Sequence, residues 1–195
     1  GDTINASIGQ GYVLASPLQL AVMTARIASG KAVEPRLVRA RGGVEIPARE
    51  APELPLDAAW LAQVRRGMSA VVNAERGTAR SSRVVMAEWK MAGKTGTSQV
   101  RNITAAERAR GVIRNDQLPW NRRDHALFVA YAPVDNPKYA ISVIVEHGGG
   151  GSTAAAPIAR DILLFALNGG VPPLDAYPSA QRGRIRTQHE TLDLV

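Results

Sequence analysis

The 195-residue sequence contains no cysteine, which excludes disulfide bridges and thiolate metal ligands and leaves the redox compartment open. Aromatic residues are scarce, at three Trp, four Tyr and two Phe, too few to build a platform on which nucleic-acid bases stack. The three histidines show no zinc-ligand spacing, and neither a metal nor an organic cofactor is expected. No stretch reaches the roughly eighteen consecutive apolar residues that a membrane-spanning helix requires. The longest apolar runs, near 125–134 and 139–145, read as strands. The chain opens at Gly1 without an initiator methionine or a charged-then-apolar leader, so it is expected to be an excised part of something longer.

What the sequence has in abundance is positive charge, 24 Lys and Arg against 17 Asp and Glu, for a net +7. A solvated face is the usual meaning of such an excess. With no basic stripe interleaved with aromatics, nucleic acid is not expected as a partner. An apolar content of 45% over 195 residues is enough for a core, and a single domain is the default.

Gly1 to Gly11 reads as loop and turn. A helix follows, with Ser16 as N-cap, Pro17 in its first position, Leu20, Met23 and Ile27 at helical spacing, and Gly30 closing it. Residues 31–56 hold several prolines and the Gly42-Gly43 pair and read as irregular surface structure. Asp57 caps the next helix, on which Trp60, Val64, Met68 and Val71 or Val72 form one apolar stripe, read as core. A polar connection over 74–83 leads to the stretch that organises the chain.

That stretch, Trp89-Lys90-Met91-Ala92-Gly93-Lys94-Thr95-Gly96-Thr97-Ser98-Gln99-Val100, alternates apolar and β-branched residues like a strand packed on one face. A glycine inside a strand usually weakens it, so Gly96 has to be explained by a bulge or by another backbone coming close, for which a substrate lying along that edge would be one cause. An arginine-rich loop of about twenty residues follows, and loops of that length are usually functional or disordered. His125–Ala132 and Tyr139–Glu146, joined through Asp135-Asn136-Pro137-Lys138, read as an antiparallel hairpin beside the first strand. His147-Gly148-Gly149-Gly150-Gly151-Ser152-Thr153 opens a last helix to about Leu167, with Ile158, Ile162 and Phe165 as its core face. The glycine run lacks the Gly-Lys-Ser/Thr ending of a phosphate loop and follows a hairpin strand, so that reading fails. Residues 170–195, rich in proline and mixed charge, read as a loosely held tail.

Lys94-Thr95-Gly96 matches the third motif of penicillin-recognising serine enzymes. Together with Gly1-Asp2-Thr3-Ile4-Asn5, Ile8-Gly9-Gln10-Gly11, Pro17-Leu18-Gln19-Leu20, His125–Ala130 and Val145-Glu146-His147-Gly148 in the same order, it makes the chain resemble the class B penicillin-binding proteins from Gly1 to about Gly169. The resemblance implies an α/β (α+β) fold, an antiparallel sheet flanked by helices of the penicillin-binding and serine β-lactamase type, of which 1–169 is the C-terminal part. It implies a peptidoglycan D,D-transpeptidase that works through an acyl-enzyme and is acylated by β-lactams. Its implied location is the periplasmic face of the bacterial inner membrane, with an anchor upstream. The implied partners are peptidoglycan stem peptides, β-lactams, a SEDS-family glycosyltransferase and other elongation-complex proteins. The sequence departs from the family in holding no Ser-x-x-Lys and no Ser-x-Asn. Since a nucleophilic serine needs an adjacent base, both motifs are expected on the remaining N-terminal part of the domain.

By the same resemblance, Lys94 and Thr97 are the catalytic candidates, and Thr95, Gly96, Thr97 and Ser98 the substrate-binding ones. Lys94 would place a positive charge in a partly desolvated cleft, and the Thr97 backbone N–H would be an oxyanion-hole donor. The competing readings are an ordinary edge strand whose lysine discourages aggregation, a β-lactam sensor or inactive scaffold of the same fold, and a serine β-lactamase. His125 and His147 are expected to be hydrogen-bonded structural residues.

Overall fold

The computed structural model describes Thr3, Ile4 and residues 14–192. The rest of the Gly1–Gly11 block lies outside the described residues. Helix α1 (Pro17–Ser29) starts at a capping box: the Ser16 hydroxyl accepts from the Gln19 N–H at 3.3 Å, and the Gln19 side chain accepts from the Ser16 N–H at 2.8 Å. It stops at Gly30, which takes the left-handed conformation at φ 78°. After the two-residue strands β1 (Ala40–Arg41) and β2 (Val44–Glu45), helix α2 (Ala58–Asn73) begins where Asp57 accepts from the Ala59 N–H at 2.7 Å.

The central sheet is β3 (Ala92–Ser98), β4 (His125–Ala132) and β5 (Tyr139–Val145), all antiparallel in the order β3-β4-β5. Its register pairs Lys94 with Val129, Thr95 with Phe128, Gly96 with Leu127, Thr97 with Ala126 and Ser98 with His125. Alternation along β4 sends side chains to two cores. Ala126, Phe128, Ala130 and Ala132 pack with helix α4 (Ala156–Asn168), and Tyr131 packs with Ala28 of α1 and Met68 of α2. The sheet is thus covered by helices on both faces, as an α+β reading requires.

Three expectations are corrected. The core face of α4 is Ala156, Ala159, Arg160, Leu163 and Leu164; Ile158, Ile162 and Phe165 are 44%, 50% and 54% exposed. The cause lies one turn earlier, in a π-helical turn over Gly151–Ala155. A Cβ on Gly151 would run into the Leu127 carbonyl and lie 2.6 Å from the Gly96 carbonyl, so the chain enters the helix hard against the sheet, where the first inward residues are Ala156 and Ala159, with Leu163 and Leu164 packing further along. On α2, Met68 and Val72 are buried, whereas Trp60 is 68% exposed and Val64 also faces outward. The segment after Gly169 is packed rather than loose. Ala176, Tyr177 and, on helix α5 (Arg182–Leu192), Ile185 are buried in the α4 core, and the Val85 N–H donates to the Ala176 carbonyl at 2.8 Å.

The arginine-rich loop also has structure. It holds the short helix α3 (Ala105–Arg110), capped by Thr104, and a two-pronged ion pair in which both Arg101 terminal nitrogens donate to Glu107 at 2.7 Å.

Candidate active-site strand

The strand β3 is held in place before any side chain of the candidate site is considered. Met91, just ahead of it, is fully buried, and its carbonyl accepts from the Asn73 amide at 3.0 Å, which ties the strand's start to the end of α2. Gly93 is there because a Cβ would stand 2.5 Å from the Phe128 ring and 2.6 Å from the Val129 carbonyl. The backbone that closes on Gly96 is the chain's own: Gly151 lies against its carbonyl and amide.

Among the described residues β3 pairs on one side only, with β4. Lys94, Thr97 and Ser98 are exposed, and Thr95 and Gly96 half-buried. The five candidate residues therefore sit consecutively on one accessible edge strand. The Lys94 ammonium is exposed rather than desolvated, donates to the Thr95 carbonyl at 2.6 Å, and among the described residues has no carboxylate within ion-pair distance. A cation, three hydroxyls and open strand amides form a surface that can take an extended peptide ending in a carboxylate.

Sequence reading passed over Thr78. Its hydroxyl lies 3.3 Å from the Thr95 hydroxyl, brought there by the turn after α2. The Gly77-Thr78 dipeptide in an otherwise polar connection was its only signal.

At the far end of β3, beyond the Ser98–His125 pair, the long loop and the glycine loop enclose an open depression of about 480 Å³ lined by residues 114–116, Arg123 and 147–150. His147 adopts φ 55°. Its backbone N–H donates to His125 Nδ1 at 2.9 Å, its own Nδ1 lies 2.9 Å from the Arg123 carbonyl, and its ring packs against Trp120 with centroids 4.4 Å apart. Both histidines are thus tied into the fold as structural residues. Among the described residues no group of three or more His, Asp or Glu is placed to hold a metal ion.

The sequence matches the family described as the penicillin binding protein transpeptidase domain over residues 1–164. It is 40% identical over 202 aligned residues to the peptidoglycan D,D-transpeptidase MrdA of Haemophilus influenzae, an alignment covering 99% of this chain and 30% of that protein. Among solved structures, Pseudomonas aeruginosa PBP2 in complex with WCK 5153 superimposes with a TM-score of 0.66 at 36% identity, over 91% of this chain and 37% of that one. Helicobacter pylori PBP2 in its complex with MreC gives 0.65 at 32% identity, over 86% of this chain and 28% of that one. The chain therefore spans about a third of the length of these relatives, and it belongs to the penicillin-binding protein transpeptidase family.

Proposed function

We propose that residues 1–169 are the C-terminal part of a peptidoglycan D,D-transpeptidase domain, in which β3 is one wall of the acyl-transfer cleft. The observation that carries this is the edge strand itself, with Lys94, Thr95, Gly96, Thr97 and Ser98 consecutive on an accessible, singly paired edge. A serine on the preceding part of the domain attacks the carbonyl between the two terminal D-alanines of a stem peptide. The terminal D-alanine leaves with the proton the serine gave up, and an amine of a neighbouring stem then takes the acyl group and returns a proton to the serine.

Each residue has a role that its chemistry supports. Lys94 attracts the terminal carboxylate and holds catalytic hydroxyls in a proton-relay network. The Thr97 backbone N–H stabilises the oxyanion, a donor type whose loss costs about a hundredfold to a thousandfold in rate. The Thr95 and Thr97 hydroxyls and Ser98 meet the substrate or inhibitor carboxylate, while Gly96 leaves the edge open to substrate backbone. Penicillin enters the same pathway and stays as a stable ester.

The remaining part of the domain is the occupant for which this chain's exposed apolar surface is shaped. Ile158, Ile162 and Phe165 lie in one exposed row on α4, beside β5, which among the described residues is paired on one side only. No helix among the described residues is long and apolar enough to cross a membrane. In this reading the work is done at the periplasmic face of the inner membrane, in the elongation machinery with a SEDS-family glycosyltransferase and a scaffold of the MreC kind, which the MreC complex of the Helicobacter pylori neighbour supports.

Incubating the intact protein with D-Ala-D-Ala stem peptides and an acceptor amine, and reading products by mass spectrometry, tests this. Cross-linked peptide with release of D-alanine, abolished by penicillin, is the expected result. Hydrolytic turnover of penicillin would identify a β-lactamase instead, and a stable penicillin adduct without peptide cross-linking a sensor or scaffold.

A further inference from the structure

We propose that Thr78 is a positioning residue of the cleft, holding the Thr95 hydroxyl in the orientation in which it donates to the carboxylate of a bound substrate or penicillin; this rests on the reading of β3 as the cleft wall. The two hydroxyl oxygens are 3.3 Å apart. A hydroxyl has one proton to give and two lone pairs to accept with. When Thr78 donates to Thr95, the Thr95 proton has no other acceptor among the described residues and is free for an anion. The same donation polarises Thr95 and strengthens the bond it makes outward.

The turn that carries Thr78 is built so that it cannot drift. A Cβ on Gly77 would run into the Val71 carbonyl and stand 2.6 Å from the Ala70 carbonyl, so only glycine lets the chain pass this close to the end of α2. Ala79 is fully buried and its N–H donates to the Val71 carbonyl at 2.9 Å, while Arg80 Nη1 donates to the Asn73 carbonyl at 2.8 Å. Asn73 in turn donates to the Met91 carbonyl at 3.0 Å. The turn and the strand are therefore clamped to one helix end, and the exposed Thr78 side chain is delivered to Thr95 by that frame.

The test is the kinetics of penicillin acylation in the intact protein, separating the affinity of the first, reversible complex from the acylation rate at saturation. Thr78→Val, which keeps the shape and removes the hydroxyl, is expected to weaken the first complex by about threefold to tenfold and leave the saturated rate unchanged. Thr78→Ser should restore wild-type affinity, and Thr78→Val placed on Thr95→Val should have no further effect. Should the valine variant not fold, Thr78→Ala takes its place with the same expectation. Wild-type affinity in the variant that lacks the hydroxyl, a serine variant as weak as it, or an undiminished penalty on the Thr95→Val background would each overturn the proposal. A wild-type protein that penicillin does not acylate would overturn the reading of the cleft and this proposal with it. An acylated wild type with an indifferent Thr78 would overturn this proposal alone.

Discussion

Two glycines of β3 look equivalent in sequence and differ in what surrounds them. At Gly93 a methyl group would meet a backbone carbonyl at 2.6 Å as well as the Phe128 ring, and a carbonyl locked in a ladder cannot step aside. At Gly96 it would meet only the Leu127 Cβ at 3.2 Å, which must give by a few tenths of an ångström. Gly93→Ala should therefore destabilise the fold by about 1–3 kcal/mol, and Gly96→Ala by clearly less, as thermal melts of the two variants would show. Equal losses would contradict this placement. The bulkier Gly96→Val adds branches on the same side and combines a packing cost with a block to the edge, so its effect on penicillin uptake has to be read beside its melting temperature.

Another residue-scale case is Arg160, fully buried in α4. Its Nη1 donates to the Gln181 side-chain Oε1 at 2.7 Å, its Nε to Asp161 at 2.8 Å, and its guanidinium lies 4.7 Å from the centre of the Tyr177 ring. Removing a partner from a buried cation costs more than removing the cation with its partners left hydrated. Gln181→Ala is expected to cost about 2–4 kcal/mol and Arg160→Met less, measured by denaturant unfolding; the reverse order would contradict the burial argument.

At the scale of elements, the helices and strands were legible where a local signal sets them. Ser16-Pro17 with Gln19 and Gly30 fixed α1, Asp57 fixed the start of α2, and the β-prone runs around Asn136-Pro137 fixed the hairpin. What could not be read was which side of an element faces in. The stripe Ile158, Ile162 and Phe165 is a proper helical repeat, but the helix that follows the close pass of Gly151 over Gly96 turns Ala156, Ala159, Arg160, Leu163 and Leu164 inward instead, and no periodicity contains that distance. Thr78 went unseen for a related reason, since its partner lies across a turn in another element.

The same limit applied to the segment after Gly169, where prolines suggested looseness and Tyr177 and Ile185 supply anchors. Burial, with Asp161 nearby, pushes the Tyr177 hydroxyl up to about 12, above the value of about 10 it has when unfolded. A raised value means stability that is complete below the unfolded value and lost as pH climbs through the folded one. Alkaline titration should therefore release the C-terminal segment between about pH 10 and 12. Buried Tyr131 is also pushed up by its burial, so Tyr177→Phe should remove part of the late component from the tyrosine absorbance titration, and an unchanged titration would contradict the burial of Tyr177. The loop ahead of β4 behaves in the opposite sense. The hydrogen bonds from Arg101 hold the Glu107 carboxyl below its ordinary range, so this anchor is present above that range and is lost as pH falls through the lowered value. Glu107→Gln should speed amide exchange across 101–123 at neutral pH and leave it unchanged in strong acid.

At the scale of the whole molecule, the chain presents a sheet with two singly paired edges among the described residues, and the two edges differ in chemistry. The β3 edge carries a lysine, threonines and a serine; the β5 side adjoins an apolar row on α4. Apolar rows of this kind are interaction surfaces, and under the proposed function the preceding part of the domain is what covers this one. The nucleophile was not legible, because no Ser-x-x-Lys or Ser-x-Asn occurs among these 195 residues. The most direct measurement is the rate at which a fluorescent penicillin acylates the intact protein, compared between wild type and Lys94→Ala. A covalent adduct on the wild type, forming at least about a hundredfold faster than on the variant, is the predicted result. Equal rates in two folded proteins would show that the Lys94-Thr95-Gly96 edge is not part of the cleft.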